Sequence, residues 1–163
     1  MKRHRRDLIL IVVLALSGGC SVITPSHHQT EDYTPVVAAA TGGDLAAIQE
    51  AVQKDPTLIT YKEWDNATLL HDAVGHNQLD VAKYLLDKGA DVNAVTTDGL
   101  TPLHMAAQNG NIEMTKLLLQ RGAKINALDA KGWTPLDRAQ KWGHKDEVDF
   151  LRQHGGQVGT AGR

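Results

Sequence analysis

T-P-L-H-M-A-A, residues 101–107, decides how this 163-residue chain is read, because near copies of it stand at a constant interval on either side. Thirty-three residues earlier comes T-L-L-H-D-A-V from Thr68, and thirty-three later T-P-L-D-R-A-Q from Thr134. A fainter copy, T-P-V-V-A-A-A, begins at Thr34. Self-similarity at such a period marks a chain built from stacked supersecondary units.

The letters of one unit have mechanical reasons. Thr101 suits a helix N-cap and Pro102 the first helical position, where a missing N–H costs nothing. Leu103, Met105, Ala106 and Ala107 make a short helix whose small residues let a neighbour approach. Gly110 supplies the left-handed turn that stops it. Ile112, Met114, Leu117, Leu118 and Leu119 then recur at helical spacing as the apolar stripe of a second helix, stopped at Gly122. The spacing predicts an extended arm at residues 124–126 and a hairpin turn at Lys131-Gly132 leading back to Thr134. The second unit repeats the scheme with Leu79, Val81, Leu85 and Leu86, then Gly89-Ala90, then Asp98-Gly99.

A period of about 33 opened by T-P-L-H-x-A resembles the ankyrin-repeat family. The resemblance spans residues 34–154 and implies an all-α repeat solenoid of about four repeats, each a helix-turn-helix with a β-hairpin loop. One helix pair cannot bury its apolar face alone, so neighbours must stack. In the last copy the stripe positions of Ile112, Met114 and Leu119 become Lys145, Glu147 and Arg152, which predicts a polar terminal face meeting water. Val148, Phe150 and Leu151 remain to pack inward. In the first copy Asp55-Pro56 stands where later repeats have Gly-Ala. Residues 155–163 are glycine-rich and apolar-poor, and are expected to be a disordered tail.

The front of the chain is of another kind. Lys2, Arg3, Arg5 and Arg6 precede an apolar run at residues 8–16 and the small residues Ser17-Gly18-Gly19, the pattern of a signal peptide over residues 1–19. The run is too short for a membrane span, which needs about 20 residues. Cys20 follows at once and is the protein's single cysteine, so it cannot form an internal disulfide. The segment L-S-G-G-C-S resembles a bacterial lipobox, although Ser17 holds the place usual for leucine. That resemblance implies acylation of Cys20 and, with Ser21 after it, the periplasmic face of an outer membrane. Ordinary cleavage leaving a free thiol is the other reading. Residues 20–33 then form the acylated cysteine and a flexible tether reaching about 45 Å.

Without residues 1–19 the chain holds 13 Lys and Arg against 18 Asp and Glu, a formal charge near −5. That balance disfavours nucleic acid. The sequence contains no G-x-S-x-G, no phosphate loop with its lysine and no H-E-x-x-H. Neither an enzyme, a cofactor, a metal nor a small-molecule substrate is expected. His71 and His104, one period apart, are read as turn-tying histidines of the family motif.

The resemblance implies partner-reading positions at the hairpin tips and the ends of the first helices. At the tips these are Trp64, Asp65 and Ala67; Thr97, Asp98 and Leu100; and Lys131 and Trp133 beside Ala130. At the helix ends they are His76 beside Gly75, Gln108 and Asn109, and Lys141 and Trp142. All three tryptophans fall in this set, and tryptophan is enriched at interface hot spots. Ala67, Leu100 and Trp133 would make an apolar ladder along the tips; packing of Trp133 on Leu100 is the bland alternative. Charge divides the same face: Glu63, Asp65, Asp72 and Asp98 toward one end, Lys131, Arg138 and Lys141 toward the other. Either a partner is oriented by it or it is a solvated face.

The expected function is a membrane-anchored protein–protein interaction module of the bacterial envelope. Two uses stand open: an immunity protein neutralising a secreted toxic effector, and a scaffold holding an envelope enzyme such as a catalase near the membrane.

Overall fold

Each T-P-L-H copy begins a helix by the same exchange of bonds. Thr101 Oγ1 accepts from the His104 amide at 3.4 Å, while the Thr101 amide donates to His104 Nδ1 at 3.1 Å. Two otherwise orphaned helix-end groups are thereby satisfied. Thr68 and His71 share the second of these bonds, and Thr134 and Asp137 show both. The computed structural model describes residues 33–160. The expected signal peptide, Cys20 and nearly all of the tether lie outside the described residues.

Among the described residues there are eight α-helices and no strand. They pair as α1 (Thr34–Gly42) with α2 (Leu45–Lys54), α3 (Leu69–Gly75) with α4 (Leu79–Asp87), α5 (Pro102–Asn109) with α6 (Ile112–Gln120), and α7 (Pro135–Trp142) with α8 (Lys145–Gln153). A 3-10 helix, Pro56–Thr60, follows α2, begun by Asp55 accepting from the Thr57 amide. Thus Asp55-Pro56 starts a new turn where the later repeats have a glycine stop.

The first helices pack in series, α1 on α3, α3 on α5 and α5 on α7. Ala40, Ala73, Ala106 and Ala139, each fully buried and each 33 residues from the next, line that series. A methyl at these positions lets backbones approach where a larger side chain would hold them apart. The second helices contribute Ile48 and Val52, then Val81 and Leu85, then Met114 and Leu118, then Val148 and Leu151. Gly110, at φ +66°, makes the α5–α6 turn, and a Cβ there would strike the His144 ring.

Four expectations need correction. The hairpins are not β-strands: each tip is a turn closed by two bonds, as where Thr96 N–H donates to Leu100 O and Gly99 N–H to Thr96 O. Tips link sideways by single bonds, Thr97 N–H to Asp65 O and Ala130 N–H to Asp98 O, too few for a ladder. The extended arm at 124–126 is likewise a turn, because Ala127 N–H donates back to Lys124 O.

Glu147 does not face water. It is 1% exposed and accepts a 2.6 Å bond from Thr115 of α6, because its place in the helix register, that of Met114, points to the neighbouring repeat. Lys145 and Arg152 are exposed as expected, whereas Phe150 is half-buried and lies against His154. Finally, residues 155–160 are ordered. They run back along the last repeat through bonds described below.

Candidate interaction surface

The tip row is held by the histidines. In both His-bearing repeats Nδ1 accepts an amide, so Nε2 carries the proton and donates to a carbonyl of the following repeat. His71 reaches Leu100 O at 3.1 Å and His104 reaches Trp133 O at 3.1 Å. Burial holds both imidazoles below their ordinary pKa, which preserves this neutral tautomer. The histidines thus tie their own turn and also clasp the next one.

The expected partner-reading residues fall into three groups. Trp64 is 93% exposed and Trp142 54%, and Thr97, Asp98, His76, Lys131 and Lys141 are exposed too. Ala67 is buried at 8% and is withdrawn as a contact position: its amide is bound by Asp65 Oδ1 and its carbonyl closes the turn. Leu100 and Trp133 are half-buried, their carbonyls spent on the histidines. The ladder of three apolar side chains therefore does not stand on the surface.

Gln108 and Asn109 are engaged between repeats. Asn109 Nδ2 donates to Gly75 O at 2.9 Å, and Gln108 Oε1 accepts from Arg138. The Trp133 ring is covered by the chain's own cations, with Lys141 Nζ 4.3 Å and the Arg138 guanidinium 5.5 Å from its centroid. The exposed indoles are thus those of Trp64, at the tip of the second repeat, and Trp142, at the end of α7.

One relation escaped the sequence reading: two equivalent positions, a tip residue and one on the following helix, hold different pairs in successive repeats. In the last repeat they are Asp129 and Arg138, joined through the guanidinium Nε and Nη2. Burial alone would raise the Asp129 pKa, but Arg138 and the amides of Lys131 and Trp133 outweigh it and hold the carboxyl below its usual range. One period earlier they are Thr96 and Met105, a neutral pair. Two periods earlier they are Glu63 and Asp72, acid against acid.

Burial, then the charge of Glu63 and a bond shared with it, raise the Asp72 pKa to about 7. Glu63 Oε1 and Asp72 Oδ2 are sealed from solvent, and among the described residues neither finds a donor. Asp65 adds to the same field. Trp64 stands directly beside Glu63 in the chain, fully in solvent. Where the last repeat carries its own cation, this one presents two carboxyls and a bare indole.

Comparison with known proteins agrees with the architecture. The profile described as "Ankyrin repeats (many copies)" matches residues 70–119 and 111–152, about half of the chain. The chain belongs to the ankyrin-repeat family, and its repeats make it a protein–protein interaction module. It is 37% identical over 84 residues to "Serine/threonine-protein kinase VIK" of Arabidopsis thaliana, covering 48% of this chain and 19% of that protein. It is 39% identical over 83 residues to human "SMC5-SMC6 complex localization factor protein 1", 51% of this chain and 8% of that one. To "Alpha-latrocrustotoxin-Lt1a" of Latrodectus tredecimguttatus it is 33% identical over 66 residues, 40% of this chain and 5% of the toxin. The chain therefore spans less than a fifth of the length of these relatives.

Proposed function

We propose that this protein is a non-catalytic binder that captures another protein through a lysine or arginine of that partner. The cation enters between Glu63 and Asp72, with the Trp64 indole covering its alkyl stem. The observation that carries the reading is the acid pair in the place where the last repeat has its Asp129–Arg138 ion pair. A cation from outside displaces the proton Asp72 holds near neutral pH and pairs with the two carboxyls, as Arg138 does with Asp129. The charges of Lys131 and Lys141 at the far end orient the same partner by complementarity.

The lipobox-like segment at Cys20 supports attachment to the envelope membrane through acyl chains, with the module held on the periplasmic side of the outer membrane. In that place the reading we favour is an immunity protein whose partner is a toxic effector delivered into the envelope; the scaffold role is the alternative. Capture of a protein by stacked repeats, without turnover, is what neutralisation asks of a structure.

Two measurements test this. Residues 20–163 carrying Trp64→Ala should bind the captured partner at least tenfold more weakly, a loss of about 1.4 kcal/mol, with the melting temperature unmoved because a 93% exposed side chain packs on little. Unchanged capture removes Trp64 from the interface. In the full chain, Cys20→Ser should move the protein from the membrane to the soluble fraction; retention on the membrane rejects the anchor.

A further inference from the structure

Residues 155–157 keep the register of a following repeat. Asn126 donates to Gly155 O at 3.1 Å and accepts from Gln157 N–H at 2.8 Å. One period earlier Asn93 does the same, donating to Gly122 O at 3.1 Å and accepting from Lys124 N–H at 2.8 Å. After Gln157 the two paths part. The earlier segment goes on to form a tip, whereas residues 158–160 fold against the last one.

Their bonds replace those a further tip would make. Thr134 Oγ1 donates to Gln157 O at 2.7 Å, Gly159 N–H to Asp137 Oδ2 at 2.7 Å, and Thr160 N–H to Gly132 O at 3.0 Å. The tips of the second and third repeats each accept an amide from the next tip, at Asp65 O and Asp98 O; for the last tip Thr160 takes that part, one residue further on. Polarity reverses accordingly. His71 and His104 donate forward to a carbonyl, but the residue at their place in the last repeat, Asp137, accepts an amide. Gly159 passes so close that a Cβ there would collide with Gly132 O and come within 2.8 Å of Asp137 Oδ2.

We infer that residues 155–160 are a strap standing in for the tip of a following repeat, and that this strap sets the position of the last tip, with Lys131 and Trp133, on the partner-facing row. The structural half stands apart from the proposed function, which it extends only in naming what holds the basic end of the row. The strap is a conformational device: held, it presents the basic end; released, it frees that end while the acidic end keeps its own support.

Hydrogen exchange of the free protein, read by mass spectrometry, tests the strap without any partner. Gly159→Ala should speed exchange across residues 129–134 at least tenfold and leave the tip at 96–101 as it was. Asp137→His keeps an acceptor for the Thr134 amide, as in the two earlier repeats, yet removes the acceptor for Gly159. It should loosen the same tip while the start of α7 stays protected. Unchanged exchange at 129–134 in both variants overturns the proposal, and so does equal acceleration of every repeat, which would mean a merely global loss of stability. Failure of partner capture in Trp64→Ala would leave these exchange results untouched.

Discussion

Replacing Asp72 with arginine is expected to raise the melting temperature and, in the same protein, to weaken binding of the captured partner at least a hundredfold, about 2.7 kcal/mol. The last repeat supplies the reason. There an arginine at this place pairs with Asp129 through two nitrogens, and that carboxyl stays ionised. Asp72→Arg would give Glu63 the same internal cation and close to any partner the pair it is meant to enter.

Stability should rise most above pH 7. A carboxyl whose folded pKa is raised adds stability below its unfolded value, near 3.8 here, and loses it as pH climbs through about 7. Removing Asp72 abolishes that loss, worth about 1 kcal/mol after discount for its partial exposure. Thermal melts at pH 5 and pH 8 with a binding titration measure both effects. A stabilised variant that still binds shows that the partner bypasses the pair. A destabilised one shows that the second repeat is not built like the last.

Glu147→Met should stabilise the protein by about 2 kcal/mol at pH 8 and by little near pH 4.5. The side chain is 1% exposed, Thr115 satisfies Oε1 only, and Oε2 has no donor among the described residues. Burial raises its pKa, with the Thr115 bond and His144 pulling the other way. Its contribution is therefore present below about 4.5, the unfolded value, and is lost as pH rises through the folded pKa.

Met114 shows that the register accepts a methionine, and Thr115 Oγ1 can turn to the Asn111 carbonyl of its own helix. Urea unfolding across the pH range reads the difference. The buried histidines set the opposite, acid limb in both proteins: with folded pKa values lowered, they add stability above about 6.5 and lose it as pH falls from there. Equal stability at pH 8 would mean that Glu147 is satisfied in a way its surroundings do not suggest.

The period and the buried alanines were legible because each is a local rule repeated four times, and the Thr caps because they recur in the last three repeats. Glu147 was not. A glutamate reads as surface by its letter, yet its position on α8 aims it at α6, and position decided. The tail misled in the same manner: a run such as G-G-Q-V-G reads as disorder, but Gly159 is small because two backbones meet there. At the tips the sequence named Trp64 and Trp133 alike as contact positions and could not tell that the first stands in solvent while Lys141 covers the second. Ala67 looked like a rung of a ladder only while its backbone bonds were unknown. The acid pair was visible as four separate negative charges; that two of them share one site emerges only when residues nine apart in the chain face each other.

The forward reach of His71 and His104 also gives construction of the molecule a direction. Each imidazole borrows its acceptor from residues synthesised 29 positions later. In a nascent chain the second and third repeats therefore cannot be clasped until the repeat behind each has emerged. Threaded amino-terminus first through a narrow pore, such a polypeptide would close in steps, each clasp forming as the following tip cleared the exit.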